Sequence, residues 1–294
     1  MNKIIEFSIV IPVFNQRKQL EITLNNFLNQ DYPKDKYEII VVDDGSKDLH
    51  KSFDEEWLCK FKNISVIHQK NKGRSAARNA GLSKAKGKYI VFCDGDRFPQ
   101  RNYLKGFHDA IATNNNPLCI YIGCPMDYYG NIENIKDEQQ VQKFSRVSKY
   151  YKKITNIYDS KGNTSSKLDW ASFLVGNSCV HSSIFEKVDK FDEDFITWGF
   201  EHFELAYRMQ LEGASFHICP EIKNFHIPHS SGTTYYLEAM QRSVLLMQKK
   251  HNNEKFVLLY EFIAGLISLQ EFEQKFSGKI CDEVRDKEPI FYRL

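Results

Sequence analysis

The sequence lacks any apolar run long enough to cross a bilayer. Its longest C-terminal stretch, Phe256 to Leu269, is interrupted by Glu261 and falls short of the ~20 residues a spanning helix needs. An excess of one charge is missing too. The 40 Lys and Arg stand against 38 Asp and Glu, a formal net charge of +2. Without a concentrated basic face, nucleic acid is not an expected partner. The seven cysteines, at 59, 93, 119, 124, 179, 219 and 281, are scattered and odd in number. That excludes a paired zinc-type spacing and predicts reduced thiols in a cytoplasmic protein. The apolar run near the N-terminus breaks at Pro12, too early for the apolar core of a secretion signal. No glycine occurs from Pro12 to Gln19 and no Walker loop is present, so the two familiar glycine-rich phosphate cradles are excluded.

Apolar and aromatic residues are plentiful. The chain is 42% hydrophobic, with 22 Phe, 15 Tyr and 3 Trp in 294 residues, which supplies a sizeable core and excludes disorder as the main state. Single cores stop growing near ~250–300 residues, and the length predicts a domain with an appendage. Phe7 to Val13, Tyr37 to Val42, Ile64 to His68 and Tyr89 to Cys93 read as buried strands. Helices are expected from Leu20 to Leu28 and from Ser75 to Ala85. Unbroken apolar strands separated by helices predict an α/β chain with a parallel sheet covered on both faces.

Ligands of such sheets lie beyond the carboxyl ends of the strands. Those ends read Pro12-Val13-Phe14-Asn15, Asp43-Asp44-Gly45-Ser46 and Asp94-Gly95-Asp96. With no glycine-rich cradle, closely spaced carboxylates suggest a divalent cation bridging protein to diphosphate. Capping of the next helix or turn is the ordinary alternative for these aspartates. Further along, Asp127 to Ser166 is polar and without a clean period, and is expected to be a surface excursion. Phe173 to Val180 restores order, Trp198-Gly199-Phe200-Glu201 opens a helix to about Glu212, and Phe225-His226-Ile227-Pro228-His229 follows a short strand. The remainder is helical in character, including one dense apolar helix from Phe256 to Leu269.

Five segments in order, FSIVIPVFNQ, VVDDGSKD, NKGRSAARNAGL, KGKYIVFCDGD and WGFEHFELAYRM, resemble the family 2 glycosyltransferases of GT-A fold. The last also resembles the Trp-Gly-x-Glu region shared by galactosyltransferases, chondroitin-type polymerases and polypeptide N-acetylgalactosaminyltransferases. The resemblance implies a mixed, mainly parallel central sheet flanked by helices. It further implies that residues 1–232 form the catalytic domain, with a nucleotide-sugar half (1–113) and an acceptor half (114–232). Residues 233–294 are expected to form a helical extension, the candidate for a homodimer contact or a peripheral membrane contact.

The resemblance implies a UDP-sugar donor held by Pro12, Val13, Phe14, Asp43, Asp44, Arg74, Arg78, Asp94, Gly95, Trp198 and Gly199. A manganese ion, or magnesium, would be held by Asp96, His229 and His226. Breaking the anomeric bond leaves charge on a diphosphate, which a bound cation neutralises. The acceptor hydroxyl needs a base on the opposite face. The family's Glu-Asp pair reads Glu201-His202 here, and either residue is the candidate base. Imidazole, with an ordinary pKa near ~6.5, can take the proton as readily as an activated carboxylate. The expected activity is inverting transfer of a hexose or N-acetylhexosamine to a hydroxyl of a glycan, lipid-linked saccharide or small metabolite. The missing Asp leaves open a retaining transferase and a non-catalytic carbohydrate-binding relative. Tyr128, Tyr129, Tyr150, Tyr151, Trp170, Trp198, Tyr235 and Tyr236 lie in polar segments, and are expected to form a saccharide-binding surface.

Overall fold

The computed structural model describes residues 4–48, 57, 61–135, 138–196, 199–227 and 233–284, and for residues 134, 138 and 233–235 the backbone alone. A nine-stranded sheet runs through it. In the first half, β1 (Phe7–Val13) lies parallel to β2 (Tyr37–Asp43) and to β4 (Tyr89–Cys93), while β2 lies parallel to β3 (Ile64–His68). β1, β2 and β4 are buried almost throughout because α1 (Arg17–Leu28) and α2 (Arg74–Lys84) belong to their crossovers, whereas β3, at the sheet edge, is largely half-buried. Gly81 lets α2 approach closely, since a Cβ there would come within 2.4 Å of Val10 Cγ1.

The second half is mixed. β5 (Arg97–Pro99) and α3 (Tyr103–Asn114) lead to β6 (Cys119–Tyr128), which runs parallel to β9 (Ser215–His226). β8 (Asn177–His181) is antiparallel to both β4 and β6, and β5 is antiparallel to β9. The order is β3-β2-β1-β4-β8-β6-β9-β5, with β7 (Ser145–Val147) paired to β6. Pairing Arg97 with His226 brings the end of β9 beside the Asp94-Gly95-Asp96 turn.

Two sequence expectations are corrected. The segment 127–166 is no surface excursion. It contains α4 (Glu138–Lys143), β7 and α5 (Lys149–Ile154), and it buries Tyr151, Ile154, Ile157 and Tyr158 in the main core. Its polar composition hid a few anchors at irregular spacing, which no single period detects. The expected helix from Phe256 to Leu269 is two elements: α9 (Val257–Ile263) ends before Gly265, and α10 (Leu269–Ser277) begins at a Ser268–Glu271 capping box. The preceding helices are α6 (Ile184–Val188), α7 (Glu201–Leu211) and α8 (Thr233–His251). The C-terminal helices share their core with the sheet: Trp170, fully buried, has its ring centroid 5.7 Å from Phe256, 5.6 Å from Phe276 and 5.6 Å from Tyr207.

Candidate active site

A cleft of about 680 Å³ opens at the carboxyl ends of β1, β2 and β4, where Pro12, Val13, Phe14, Asp44, Asp94 and Asp96 are among its walls. Asp43 is not among these walls. Its Oδ1 accepts from the Ser46 N–H at 2.8 Å, and its Oδ2 lies 2.9 Å from His68 Nδ1. Asp44 accepts from the Lys72 and Gly73 N–H groups, both at 2.9 Å, and from Gln69 Nε2 at 2.7 Å. This buried carboxylate therefore occupies the N-terminal end of α2, where the helix dipole favours negative charge. Gly95 lies against Val13, to whose Cβ an added Cβ would come within 3.3 Å.

Asp96 is buried, and its Oδ2 accepts from Gln16 Nε2 at 2.8 Å. The same oxygen lies 3.8 Å from His226 Nε2, while His226 Nδ1 lies 3.4 Å from Asp127 Oδ1. Among the described residues no group of three His, Cys, Asp or Glu side chains is placed to hold a metal ion. Asp96 and His226 nevertheless offer one oxygen and one nitrogen donor toward each other, with Asp127 behind the ring. A histidine ligating through Nε2 uses just such an outer carboxylate to fix its tautomer. The donor set thus fits a manganese- or magnesium-class cation that takes its remaining ligands from a bound molecule. His229 lies outside the described residues, as does Trp198.

Beside the cleft is an inner cavity of about 470 Å³ that shares Arg74, Asp94 and Arg97 with it. Its polar wall is the start of α7. Gly199 (φ 102°) and Phe200 (φ 69°) are both left-handed, an uncommon state for phenylalanine that is held here by full burial of its ring. That turn aims Glu201 and His202 into the cavity. Glu201 is 3% exposed, and its Oε1 accepts from Arg78 Nη1 at 2.9 Å. Arg78, itself buried, gives Nη2 to Asp94 Oδ1 at 3.0 Å and stacks over the Phe191 ring. Burial pushes the Glu201 carboxyl up, but His202, Arg78 and Arg74 outweigh that and hold it well below the usual carboxylate range. At 3.7 Å from Glu201 Oε1, His202 Nδ1 is too far for a hydrogen bond. His202 Nδ1 and Glu201 Oε2 are sealed from solvent with no hydrogen-bond partner among the described residues.

The structure thus gathers Pro12, Val13, Phe14, Asp44, Arg74, Asp94, Asp96 and His226 around the cleft, and Arg78, Gly199, Glu201 and His202 around the inner cavity. Asp43 lies behind the first group. Sequence reasoning missed Gln16, Arg97, Asp127 and Lys149. Arg97 directly follows Asp94-Gly95-Asp96 and could have been noticed; Asp127 reaches His226 only through the β6–β9 pairing. Of the expected saccharide surface, Tyr128, Tyr151 and Trp170 are buried in cores, which corrects that reading. Tyr129 and Tyr150 line the inner cavity, and Tyr236 the cleft. A larger cavity of about 860 Å³ lies on the outer side of α2. Its Glu204 is paired with Arg208 and His251, and its Asp192 with Lys250, so it presents satisfied ion pairs rather than poised groups.

The family model described as "Glycosyl transferase family 2" matches residues 8–179. That match ends inside β8, so the Trp-Gly-x-Glu segment lies beyond it. The chain is 31% identical over 243 residues to a chondroitin synthase of Pasteurella multocida (strain Pm70), covering 74% of this chain and 24% of that protein. It is 28% identical over 262 residues to a chondroitin synthase of Escherichia coli, covering 83% of this chain and 38% of that protein. The chain therefore spans well under half the length of these relatives. Among solved structures, residues 1–349 of S. aureus TarS in complex with UDP-GlcNAc superimpose with a TM-score of 0.65 at 16% identity, covering 93% of this chain and 75% of that one. At that identity the likeness concerns the fold. The strand order, the carboxylate-bearing strand ends and the family match agree: the chain belongs to the family 2 glycosyltransferases and has the GT-A fold.

Proposed function

We propose that the chain transfers a hexose or N-acetylhexosamine from a UDP-sugar to an acceptor hydroxyl, with inversion at the anomeric carbon. The observation that carries this reading is the junction of two compartments. A cleft with Asp44, Asp94 and Asp96 abuts a cavity walled by Glu201 and His202, and Arg74, Asp94 and Arg97 belong to both. The donor nucleotide would occupy the cleft, its base near Asp44 and the Pro12-Val13-Phe14 backbone. Asp96 and His226, joined by His229, would hold a manganese or magnesium ion, which when bound neutralises charge on the departing diphosphate. The acceptor would enter from the inner cavity. Its oxygen bonds to the anomeric carbon as the bond to the diphosphate oxygen breaks; the electron pair leaves with UDP and the proton goes to His202.

His202 suits the base better than Glu201. Glu201 is clamped by Arg78 and held in its weakly basic charged form, whereas the His202 ring borders the inner cavity without such a clamp. Glu201 would then hold donor-sugar hydroxyls. The UDP-GlcNAc complex of TarS, a structure of the same fold, supports the choice of donor class.

A panel of nucleotide sugars incubated with the protein and manganese tests the reading. One of them should release free nucleoside diphosphate, and failure of all to bind would sink it. Asp96→Ala should abolish the manganese-dependent increment in UDP affinity measured by calorimetry. An increment that survives the substitution would remove Asp96 from the cation site.

A further inference from the structure

The near-balance of charge over the whole chain conceals a local excess. From Gln139 to Tyr158 there are five basic residues, Lys143, Arg146, Lys149, Lys152 and Lys153, and no Asp or Glu. The first four are exposed and form no ion pair with an acid among the described residues. The fold gathers them beside the inner cavity. Arg146 stands opposite Asp127 in the β6–β7 pairing, so it shares the face of that ribbon that Asp127 presents to the cavity. Asp127 itself is partnered elsewhere, 3.4 Å from His226 Nδ1. Arg146 Nη1 donates to the Lys143 carbonyl at 3.2 Å, which keeps the end of α4 alongside. Lys149 opens α5 and lines the cavity, and Lys152, three residues on, lies on the same helix face. The other face of α5, with Tyr151 and Ile154, is buried.

Apolar surface is interleaved with these cations. Phe144 is 42% exposed and Tyr129 67%, and the Tyr129 N–H donates to the Phe144 carbonyl at 2.8 Å, so the two are neighbours. The Lys143 ammonium stands over the Phe144 ring, 5.5 Å from its centroid. A groove for a soluble anionic chain needs cations alone, and an exposed phenylalanine, with no polar atom, adds nothing to it. Cations around exposed rings suit the headgroup region of a membrane, where basic side chains meet anionic headgroups and rings leave water. In the C-terminal helices, by contrast, Lys250 is paired with Asp192 and Asp194, and His251 lies against Glu204.

We propose that the face bearing Lys143, Phe144, Arg146, Lys149 and Lys152 docks on an anionic lipid surface, with the Phe144 and Tyr129 rings entering its headgroup layer. The mouth of the inner cavity then opens beside that surface, where a lipid-anchored acceptor can enter. This last step rests on the inner cavity being the acceptor side, as argued above; the docking does not.

Flotation of the whole chain with phosphatidylcholine vesicles, with and without phosphatidylglycerol, tests the docking. The protein should float with the anionic vesicles and not with the neutral ones. Raising salt from about 0.1 to about 1 M shortens the screening length from ~10 to ~3 Å and should release most of it. Lys143→Gln, Arg146→Gln and Lys152→Gln combined should weaken binding about a hundredfold, at about fivefold per cation. The same change at Lys34, Lys62 and Lys84, exposed cations elsewhere, should weaken it far less, which separates a docking face from net charge. Phe144→Ser should weaken it about tenfold. None of these residues lines the cleft or the inner cavity. Near-UV spectra and UDP affinity should therefore stay those of the wild type, which reports intact folding. No flotation with anionic vesicles, equal flotation with neutral ones, or equal losses in the two triple variants overturns the proposal. Full binding by Phe144→Ser, with dextran sulfate displacing the vesicles, assigns the cations to a soluble anionic chain and overturns it equally. A wild-type protein that floats but binds no UDP upholds the docking and refutes the donor reading.

Discussion

Arg78 joins the two compartments. Its guanidinium spans Asp94 at the end of β4 and Glu201 at the start of α7, so it fixes the separation between the donor-side turn and the proposed catalytic helix. Removing one partner of a buried ion pair costs about 3–5 kcal/mol, and Arg78→Gln should therefore unfold at a markedly lower temperature. Arg78→Lys is the sharper test, because one ammonium cannot bridge both carboxylates. Turnover should fall by about tenfold or more while UDP affinity changes little; equal loss of both would make Arg78 a donor contact instead. For His202, substitution by Ala should leave UDP affinity intact and reduce transfer by about 10²–10⁴-fold, the range of a lost general base. His202→Asp, which restores the family's carboxylate, should recover part of the rate. The types of these residues were legible as motifs. That Arg78 is a buried strut was not, because both of its partners are remote in sequence.

At the scale of elements, α7 has a second face. Glu204, three residues beyond Glu201, is buried and accepts from Arg208 Nε at 2.8 Å, with His251 Nε2 3.0 Å away at the end of α8. Burial pushes the Glu204 carboxyl up, but His251 and Arg208 more than reverse this and hold it below its ordinary value. A carboxyl lowered in the folded state contributes stability that is present above its unfolded value and lost as pH falls through the folded one. Acidification below the ordinary carboxylate range should therefore loosen the α7–α8 contact. In chemical denaturation at a series of pH values, Glu204→Gln should be less stable than the wild type at pH 7 and should lose less on acidification. Parallel pH curves would show that Glu204 contributes nothing to the acid sensitivity. The existence of α7 followed from its apolar spacing. Its left-handed entry at Gly199 and Phe200 did not, because nothing in the local pattern demands a positive φ at a phenylalanine.

At the scale of the whole molecule, the sheet and the C-terminal helices share one core. Trp170 contacts rings from α7, α10 and the turn before α9 at once. Trp170→Ala should cost about 3–5 kcal/mol and lower a single melting transition followed by both near-UV and far-UV signals. Two separate transitions would mean that the C-terminal helices melt as an independent unit.

The parallel half was written in the sequence, since strands buried on both faces must be near-continuous apolar runs, and Phe7–Val13, Tyr37–Asp43 and Tyr89–Cys93 are such runs, with the edge strand Ile64–His68 shorter and half-buried. Carboxylates at their ends were equally visible, because chemistry at strand ends is encoded locally. Only the tertiary structure decided the rest. The antiparallel insertion of β8 between β4 and β6, the Arg97–His226 pairing and the burial of Tyr151 and Trp170 within a polar-looking stretch all depend on contacts between residues far apart in the chain. Local pattern carries the period of an element, whereas partner, register and the matching of buried charges are set by what the folded chain brings alongside it.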